Sequence, residues 1–126
     1  MKMKTNKTCL ILLTHGSKRP SWCKPFQTLL RKLRKETGKS NIHLAHMELA
    51  SPSLEDIVEL VVEEGTMNIR ILPLFMSSGT HLIKDIPAKV KALMRKHRGL
   101  KIETLPPLGS HPRFLKMMLE LTQEYV

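Results

Sequence analysis

Cysteine and aromatic residues are scarce in this chain of 126 residues. The two cysteines, Cys9 and Cys23, are too few for a disulfide framework or a zinc knuckle, and they suit a protein of a reducing compartment. One Trp, one Tyr and three Phe leave no series of aromatic platforms on which the bases of a nucleic acid could stack. The composition therefore counts against a disulfide-stabilised secreted protein and against a nucleic-acid-binding module.

Long apolar runs are also absent, so the sequence contains no candidate membrane span. The basic start and the apolar residues 10–13 are superficially like a secretory signal. That apolar run is too short, however, and it leads into a polar turn rather than a small-residue cleavage site. We expect a cytoplasmic protein without a membrane span, in which residues 1–126 form a single domain large enough to bury its own core.

Acidic residues are outnumbered: the chain has 11 Asp and Glu against 21 Lys and Arg, which gives a formal net charge of +10. A surface this basic attracts polyanions, so charge alone admits a nucleic acid, an acidic membrane or a small substrate with several carboxylates or phosphates. The basic residues could equally be the solvated faces of helices. The net charge by itself does not choose among these interpretations.

What the sequence does contain is a regular alternation of strand and helix patterns. Apolar runs of strand length occur at 8–14, 42–49, 68–75 and 100–105, and helical spacing begins near Lys24, Ser53, Asp85 and Pro112. Ser53 and Asp56 have the spacing of a capping box, and Gly38 is placed to end the first helix. The order βαβαβαβα predicts an α/β fold: an open, parallel, four-stranded sheet of flavodoxin-like type with helices on both faces.

Reactive side chains follow three of the predicted strands. Ligands of an open parallel sheet bind beyond the carboxyl ends of its strands, where the strand order reverses. If the order is 2-1-3-4, one edge collects His15 after the first strand, Glu48 at the end of the second and His81 in the loop after the third. Two imidazoles and a carboxylate suit a divalent metal, with the carboxylate as ligand, orienting group or proton acceptor.

The remaining histidines and the glycine-containing loops give weaker signals. His43 and His46 point to opposite faces of a strand, so joint metal binding is not expected. His97 suits a helix C-terminus, and His111 a structural or rim position. Residues 16–17 and 77–80 could bind a phosphate through backbone N–H groups, but the sequence has neither a P-loop motif nor a GxGxxG motif.

Four segments together resemble a known family. They are Leu-Leu-Thr-His-Gly-Ser at 12–17, Met-Glu-Leu-Ala-Ser-Pro-Ser-Leu at 47–54, Pro-Leu-Phe-Met-Ser-Ser-Gly-Thr-His-Leu-Ile-Lys-Asp-Ile-Pro at 73–87 and Pro-Pro-Leu-Gly-Ser-His-Pro at 106–112. In order and spacing they are similar to the class II tetrapyrrole chelatases, above all to the short CbiX-type sirohydrochlorin cobaltochelatases. The resemblance covers almost the whole chain.

The resemblance implies a chelatase-like fold and the ATP-independent insertion of a divalent metal into sirohydrochlorin, in cobalamin or sirohaem-type tetrapyrrole biosynthesis. The metal is a substrate, foremost Co²⁺ with Ni²⁺ or Fe²⁺ as alternatives, and no cofactor is bound permanently. By correspondence, His15 is the general base and a metal ligand, and His81 is the second metal ligand. Glu48 is a catalytic residue that also contacts the tetrapyrrole, together with the loop residues Phe75, Met76, Ser77, Ser78, Gly79 and Thr80.

The resemblance also implies partners. Short members correspond to one half of the two-lobed chelatases, so a homodimer is expected, with the macrocycle in or near the cleft between the two copies. Sirohydrochlorin is rich in carboxylates, which fits the basic charge, and Lys18, Arg19 and Lys84 are candidate contacts for it. Neither a nucleic acid nor a membrane is expected as a partner.

Thr14 and Thr80 depart from the family pattern, which more often has Gly-His-Gly-Ser and Gly-Gly-His. Both residues are small, so we expect altered loop geometry rather than loss of activity. Thr14 also counts against a histidine phosphatase, in which an arginine that grips the phosphate usually precedes the histidine. A metal or tetrapyrrole carrier without turnover needs the same ligands, so it stays open, as does the choice between His15 and Glu48 as proton acceptor.

Overall fold

The computed structural model describes residues 7–77 and 79–126, with the side chains of residues 80–83 outside that description. Its elements follow one another as β1 (Thr8–Thr14), α1 (Pro20–Thr37), β2 (Ile42–His46), α2 (Leu54–Glu63), β3 (Asn68–Pro73), α3 (Thr80–Lys96), β4 (Lys101–Thr104), a 3₁₀ turn (Leu108–Ser110) and α4 (Pro112–Tyr125). The predicted alternation of strands and helices is confirmed.

The strands are parallel and form one sheet in the order β2-β1-β3-β4. Ile11 of β1 lies opposite His43 of β2 and Ile71 of β3. The order reverses at β1, because the chain moves from β1 to β2 in one direction and then returns past β1 to β3 and β4. This is the predicted flavodoxin-like order, and it sets the carboxyl ends of β2, β1 and β3 side by side.

The two faces of the sheet bury different sets of residues, because alternate side chains of a strand point to opposite faces. Ile11 and Leu13 of β1 belong to the larger core, which is completed by α2 and α3. Leu12 belongs to a smaller core on the other face, where Phe26 and Leu30 of α1 cover it. Right-handed crossovers account for this division of the helices between the faces.

Two local signals of the sequence are confirmed. The Ser53 hydroxyl accepts from the Asp56 N–H at 3.1 Å, and the Asp56 carboxylate accepts from the Ser53 N–H at 3.0 Å, which completes the capping box of α2. Gly38 follows α1 with φ of 67°, a left-handed conformation that costs glycine nothing because it has no Cβ. Polar capping and glycine termination thus separate the elements as predicted.

Three element boundaries differ from prediction. β3 ends at Pro73, since a residue without an N–H cannot continue the ladder. α1 begins at Pro20 rather than near Lys24, because proline is tolerated in a first helical turn. β2 ends at His46, so Glu48 lies beyond the strand and not at its end.

The start of α3 was also predicted wrongly. The helix begins at Thr80 instead of near Asp85, so Pro87 lies inside it rather than in its first turn. Pro87 removes one backbone hydrogen bond from the helix. The neighbouring face is well buried, with Ile86, Val90 and Leu93 each exposing 5–7% of their surface, and that burial offsets the missing bond.

α4 differs from the other helices in its packing. None of its fourteen residues, all of which the structure describes, is buried. It is not a candidate membrane span either, because no helix in the described part of the chain is both long enough and apolar enough to cross a bilayer. The helix is amphipathic, yet most of its apolar residues, among them Leu115, Leu119 and Tyr125, stay exposed beside the rest of the described chain.

Candidate functional site

Backbone hydrogen bonds join three loops at the carboxyl edge of the sheet. Beyond the last strand pairs, the Met47 N–H donates to the Thr14 carbonyl at 2.9 Å and the Glu48 N–H donates to the His15 carbonyl at 3.2 Å. On the other side of β1, the Leu74 N–H donates to the Leu13 carbonyl at 2.8 Å. The loop after β1 is therefore held between the loops after β2 and β3, which fixes the main-chain position of His15.

Gly16 permits the close approach of the first two loops. Its φ is +89°, and a Cβ at this position would lie 1.8 Å from the Glu48 carbonyl oxygen. Any side chain there would force the two loops apart, because no real contact is that short. The lack of a side chain at Gly16 is thus what allows His15 and Glu48 to be neighbours in space.

His15 is exposed, and its ring packs against Phe75. The two ring centroids are 4.2 Å apart and the ring planes are inclined by 38°. Phe75 is 2% exposed and belongs to the larger core, so it is a rigid support rather than a free surface residue. The imidazole is therefore restrained by an apolar ring while it stays accessible to a ligand.

His46 is a second imidazole close to this loop, and it is buried. Its Nδ1 is hydrogen-bonded to the Thr14 hydroxyl at 2.5 Å. Burial lowers the pKa of His46, so the ring is neutral and one of its nitrogens can accept while the other donates. His43 lies on the opposite face of β2 and is half-buried, as alternation predicts. Sequence reasoning considered His46 only as a metal ligand and missed its bond to Thr14.

The chain turns sharply after Glu48, whose side chain is exposed. Leu49 has φ of 65° and is 56% exposed. A residue with a Cβ pays about 1–2 kcal/mol for this left-handed conformation, and such residues cluster at functional sites. The turn leaves the Glu48 carboxylate at the same edge as His15, although Glu48 lies outside the strand.

The loop after β3 has mixed exposure. Phe75 is buried, whereas Met76 is 63% exposed and Ser77 is exposed. Gly79 precedes α3, and a Cβ built on it would meet no atom of the described residues within 4 Å. The main chain at Gly79 is therefore not crowded by any described part of the chain.

Three residues of the predicted site lie partly or wholly outside the described part of the chain. Ser78 is not described, and for Thr80 and His81 only the backbone is. Both belong to the first turn of α3, so the sequence prediction of His81 in a loop is wrong in that respect. The helix begins earlier than its apolar spacing indicated, because Gly79 rather than Asp85 stands before its first turn.

A second glycine locks the loop after β4 against the loop after β3. The Gly109 N–H donates to the Phe75 carbonyl at 2.9 Å. A Cβ on Gly109 would lie 1.8 Å from the Met76 carbonyl oxygen. Gly109 belongs to the segment at 106–112 that resembles the family, but the sequence analysis did not predict that two loops approach each other closely there.

A cavity of about 320 Å³ lies next to His15. Its lining residues are Thr14, His15, Gly16, Ser17, Trp22, Cys23, Phe26 and Leu74. Trp22 is 64% exposed, so it presents a large flat apolar surface beside a reactive imidazole. The sequence analysis missed Trp22, because it placed the start of α1 near Lys24, whereas the helix begins at Pro20.

This edge of the sheet has exposed basic side chains nearby but few groups that could bind a metal. Lys18, Arg19 and Lys84 are all exposed. Among the residues whose side chains are described, no group of three or more His, Cys, Asp or Glu is arranged to hold a metal ion. His15 and Glu48 are described, exposed side chains at this edge that could contact a metal.

The comparisons with known proteins agree on one family. The CbiX family model matches residues 9–125. The chloroplastic sirohydrochlorin ferrochelatase of Arabidopsis thaliana is 29% identical over 114 residues, which cover 90% of this chain and 51% of that protein. The sirohydrochlorin cobaltochelatase of Sulfolobus acidocaldarius is 25% identical over 115 residues, which cover 91% of this chain and 89% of that protein. The chain thus spans about half the length of the Arabidopsis relative.

A solved structure leads to the same conclusion. The crystal structure of the CbiX protein from Marinobacter aquaeolei VT8 is similar, with a TM-score of 0.80 and 35% sequence identity. The match covers 94% of this chain and 96% of that one, so the two proteins share the whole fold. With a family model that spans nearly all of its length, the chain belongs to the CbiX family.

Proposed function

We propose that this chain is a sirohydrochlorin chelatase, which inserts a divalent metal ion, foremost Co²⁺, into sirohydrochlorin without ATP. The observation that carries the proposal is the exposed imidazole of His15, which rests on buried Phe75 at the carboxyl edge of a CbiX-family sheet. The names of the Arabidopsis and Sulfolobus relatives support sirohydrochlorin as the substrate class.

In the proposed reaction, His15 acts as general base and metal ligand. Metal insertion requires the pyrrole N–H protons to leave while a partly desolvated metal reaches the face of the ring. An imidazole can accept a proton and bind a metal at neutral pH. His81 is proposed as the second metal ligand, and Glu48 as the carboxylate that assists proton removal. Backbone hydrogen bonding between His15 and Glu48 supports their joint action.

The tetrapyrrole is proposed to lie over the loop at 75–80. Met76 and Ser77 are exposed and no described atom crowds Gly79, which supports the approach of a flat macrocycle to the main chain there; Ser78 and Thr80 complete the proposed contact. Phe75 contributes through its ring contact with His15, because it supports the imidazole on the side away from solvent. The carboxylates of sirohydrochlorin would be attracted by Lys18, Arg19 and Lys84, which are all exposed.

Co²⁺ is placed first because several relatives, the Sulfolobus protein among them, are named cobaltochelatases. The Sulfolobus cobaltochelatase is covered over 89% of its length, whereas the Arabidopsis ferrochelatase is covered over 51%. Fe²⁺ and Ni²⁺ are alternatives that suit the same ligands, and ligand type alone does not decide which metal a site receives. The metal is treated as a substrate, with no permanently bound cofactor.

Two copies of the chain are proposed to form a homodimer that holds the macrocycle at or near its cleft. The support is the half-length match to the Arabidopsis relative. A cytoplasmic location is proposed as well, because Cys9 and Cys23 are both free and buried, which fits a reducing compartment.

An anaerobic absorbance assay tests the proposed activity. Purified protein is mixed with sirohydrochlorin and, separately, Co²⁺, Ni²⁺ or Fe²⁺, against controls without protein that measure spontaneous insertion. We expect insertion to be accelerated most with Co²⁺, and His15→Ala to abolish the acceleration. His43→Gln is the matched control, because His43 lies within β2, whereas His15 is at the carboxyl edge. Binding of sirohydrochlorin without acceleration for any metal would contradict the proposal and indicate a carrier.

A further inference from the structure

His46 lies directly opposite Thr14, at the last pair of the β1–β2 ladder. Their side chains point to the same face of the sheet as Leu12 and Leu44 of the smaller core, because every second residue of a strand shares a face. The Thr14 hydroxyl and the His46 Nδ1 are hydrogen-bonded at 2.5 Å. His46 is 1% exposed, so it cannot touch a substrate itself.

The side chain of His46 contacts both chain neighbours of His15. Its ring is bonded to Thr14, the residue before His15. A Cβ built on Gly16, the residue after His15, would lie 3.2 Å from the His46 Cβ, so the main chain at Gly16 packs directly against His46. The chain on either side of the exposed imidazole thus rests on one buried side chain.

The main chain supports the end of β1 unequally on its two sides. The register of β1 with β3 ends at the pair Leu13–Pro73, whereas the register with β2 continues to Thr14. Beyond that pair, the Met47 N–H donates to the Thr14 carbonyl at 2.9 Å, again on the β2 side. A strand end that is bonded along one edge can still turn about that edge. The side-chain bond between Thr14 and His46 opposes this turning, because it lies on one face of the sheet.

The His15 ring is supported on the opposite face. Its contact there is Phe75, a member of the larger core, at a centroid distance of 4.2 Å. If the end of β1 turned about its bonded edge, the imidazole would leave this support and point in a new direction. The buried pair of Thr14 and His46 on one face and Phe75 on the other therefore determine together where the His15 imidazole points.

We propose that His46 is a positioning residue: its bond to Thr14 and its contact at Gly16 hold the His15 imidazole in the direction that metal insertion requires. The inference rests on the proposed function, in which His15 is the general base. A misplacement of about 1 Å can lower a rate about 100-fold. Loss of the pair should therefore lower kcat, whereas the KM for sirohydrochlorin should change little, because His46 does not touch the substrate.

A double substitution separates positioning from a purely structural role. Thr14→Val alone leaves a buried imidazole without its partner, so both stability and rate should fall. Thr14→Val combined with His46→Phe removes both polar groups and keeps a ring of similar size, so most of the stability should return. The rate should not return: we expect kcat to stay at least about 10-fold below that of the unaltered chain. Thr14→Ser keeps the hydroxyl and should have nearly normal kcat.

Steady-state insertion rates and urea unfolding of the same full-length variants measure these effects. The matched control is Thr66→Val, because Thr66 is also a buried threonine, 6% exposed, but precedes β3 at the other end of the sheet. It should leave kcat unchanged at temperatures where the variant is folded. If the double variant recovers kcat together with its stability, His46 supports only the fold and the positioning role is wrong.

A second measurement does not depend on activity. In the unaltered chain, nuclear Overhauser cross-peaks should join the ring protons of His15 and Phe75, whose centroids are 4.2 Å apart. They should persist in Thr14→Ser and weaken strongly in the double variant, because the effect falls steeply with distance. Cross-peaks of unchanged intensity in the double variant would overturn the proposal. If the unaltered chain does not accelerate insertion, the chelatase function is wrong, and the cross-peaks still decide whether His46 orients His15.

Discussion

The Thr14 hydroxyl and the His46 imidazole form a buried hydrogen bond at the junction of β1, β2 and the loop that carries His15. His46 is 1% exposed and Thr14 is 3% exposed. A buried polar pair of this kind costs little while both partners are present and much more when one is removed. The pair therefore ties the position of His15 to the stability of the sheet.

Thr14→Val should destabilise the protein by about 1–3 kcal/mol, because the His46 nitrogen is left buried without its partner. The shape of the side chain is nearly unchanged, so the loss reports the hydrogen bond rather than the packing. Urea unfolding measures it. Thr8→Val is the matched control, since Thr8 is exposed in the same strand; an equal loss in both variants would contradict the interpretation.

Stability should fall as the pH decreases below the ordinary histidine pKa. Burial lowers the pKa of His46, and burial together with the nearby Arg34 lowers the pKa of His43 from 6.5. Below about pH 6.5 the unfolded chain binds these protons and the folded chain does not, so protonation favours unfolding; above that pH the contribution is complete. Urea unfolding from about pH 8 to about pH 5 measures the slope. His43→Gln should reduce this slope, and an unchanged slope would show that His43 does not contribute to the pH dependence of stability.

Gly16→Ala should disrupt the site more than left-handed strain alone explains. The new Cβ would clash with the Glu48 carbonyl oxygen at 1.8 Å. Gly38→Ala is the matched control, because Gly38 is also left-handed but a Cβ there would meet no described atom within 4 Å, so it should cost only about 1–2 kcal/mol. Thermal unfolding and the insertion assay compare the two. Equal losses would show that the close approach to Glu48 does not matter.

Phe75→Leu should slow metal insertion while the fold persists. Leucine fills most of the buried volume, so the expected loss of stability is about 1 kcal/mol. The ring that restrains His15 at 4.2 Å is lost, however, and misplacing the proposed general base lowers the rate. Steady-state insertion rates measure the effect. A variant with normal rate would contradict the function of Phe75 as a support for His15.

Trp22→Ala should weaken sirohydrochlorin binding with little change in stability. Trp22 is 64% exposed and lines the cavity next to His15, so its removal costs the fold little packing. Leu29→Ala is the control on the same helix, with a side chain that is 38% exposed outside that cavity. Absorbance titration with sirohydrochlorin compares their dissociation constants, and equal values would remove Trp22 from the site.

The sequence predicted the sheet and the place of His15 because both depend on local patterns. Strand and helix spacing alternates, and the capping box at Ser53 is encoded within a few residues. The bond between Thr14 and His46 joins positions 32 apart in sequence, which no local pattern records. The unpartnered state of α4 was not predicted for a different reason: an amphipathic helix has the same spacing whether its apolar face packs on its own sheet or on another chain.

The close approach at Gly16 involves main-chain atoms, so it does not depend on the chemistry of the side chains at the site. Main-chain atoms hold the His15 and Glu48 segments together, through the 3.2 Å hydrogen bond and the missing Cβ at Gly16. The two proposed reacting groups are therefore kept near each other by a contact that does not depend on which side chains stand at positions 15 and 48.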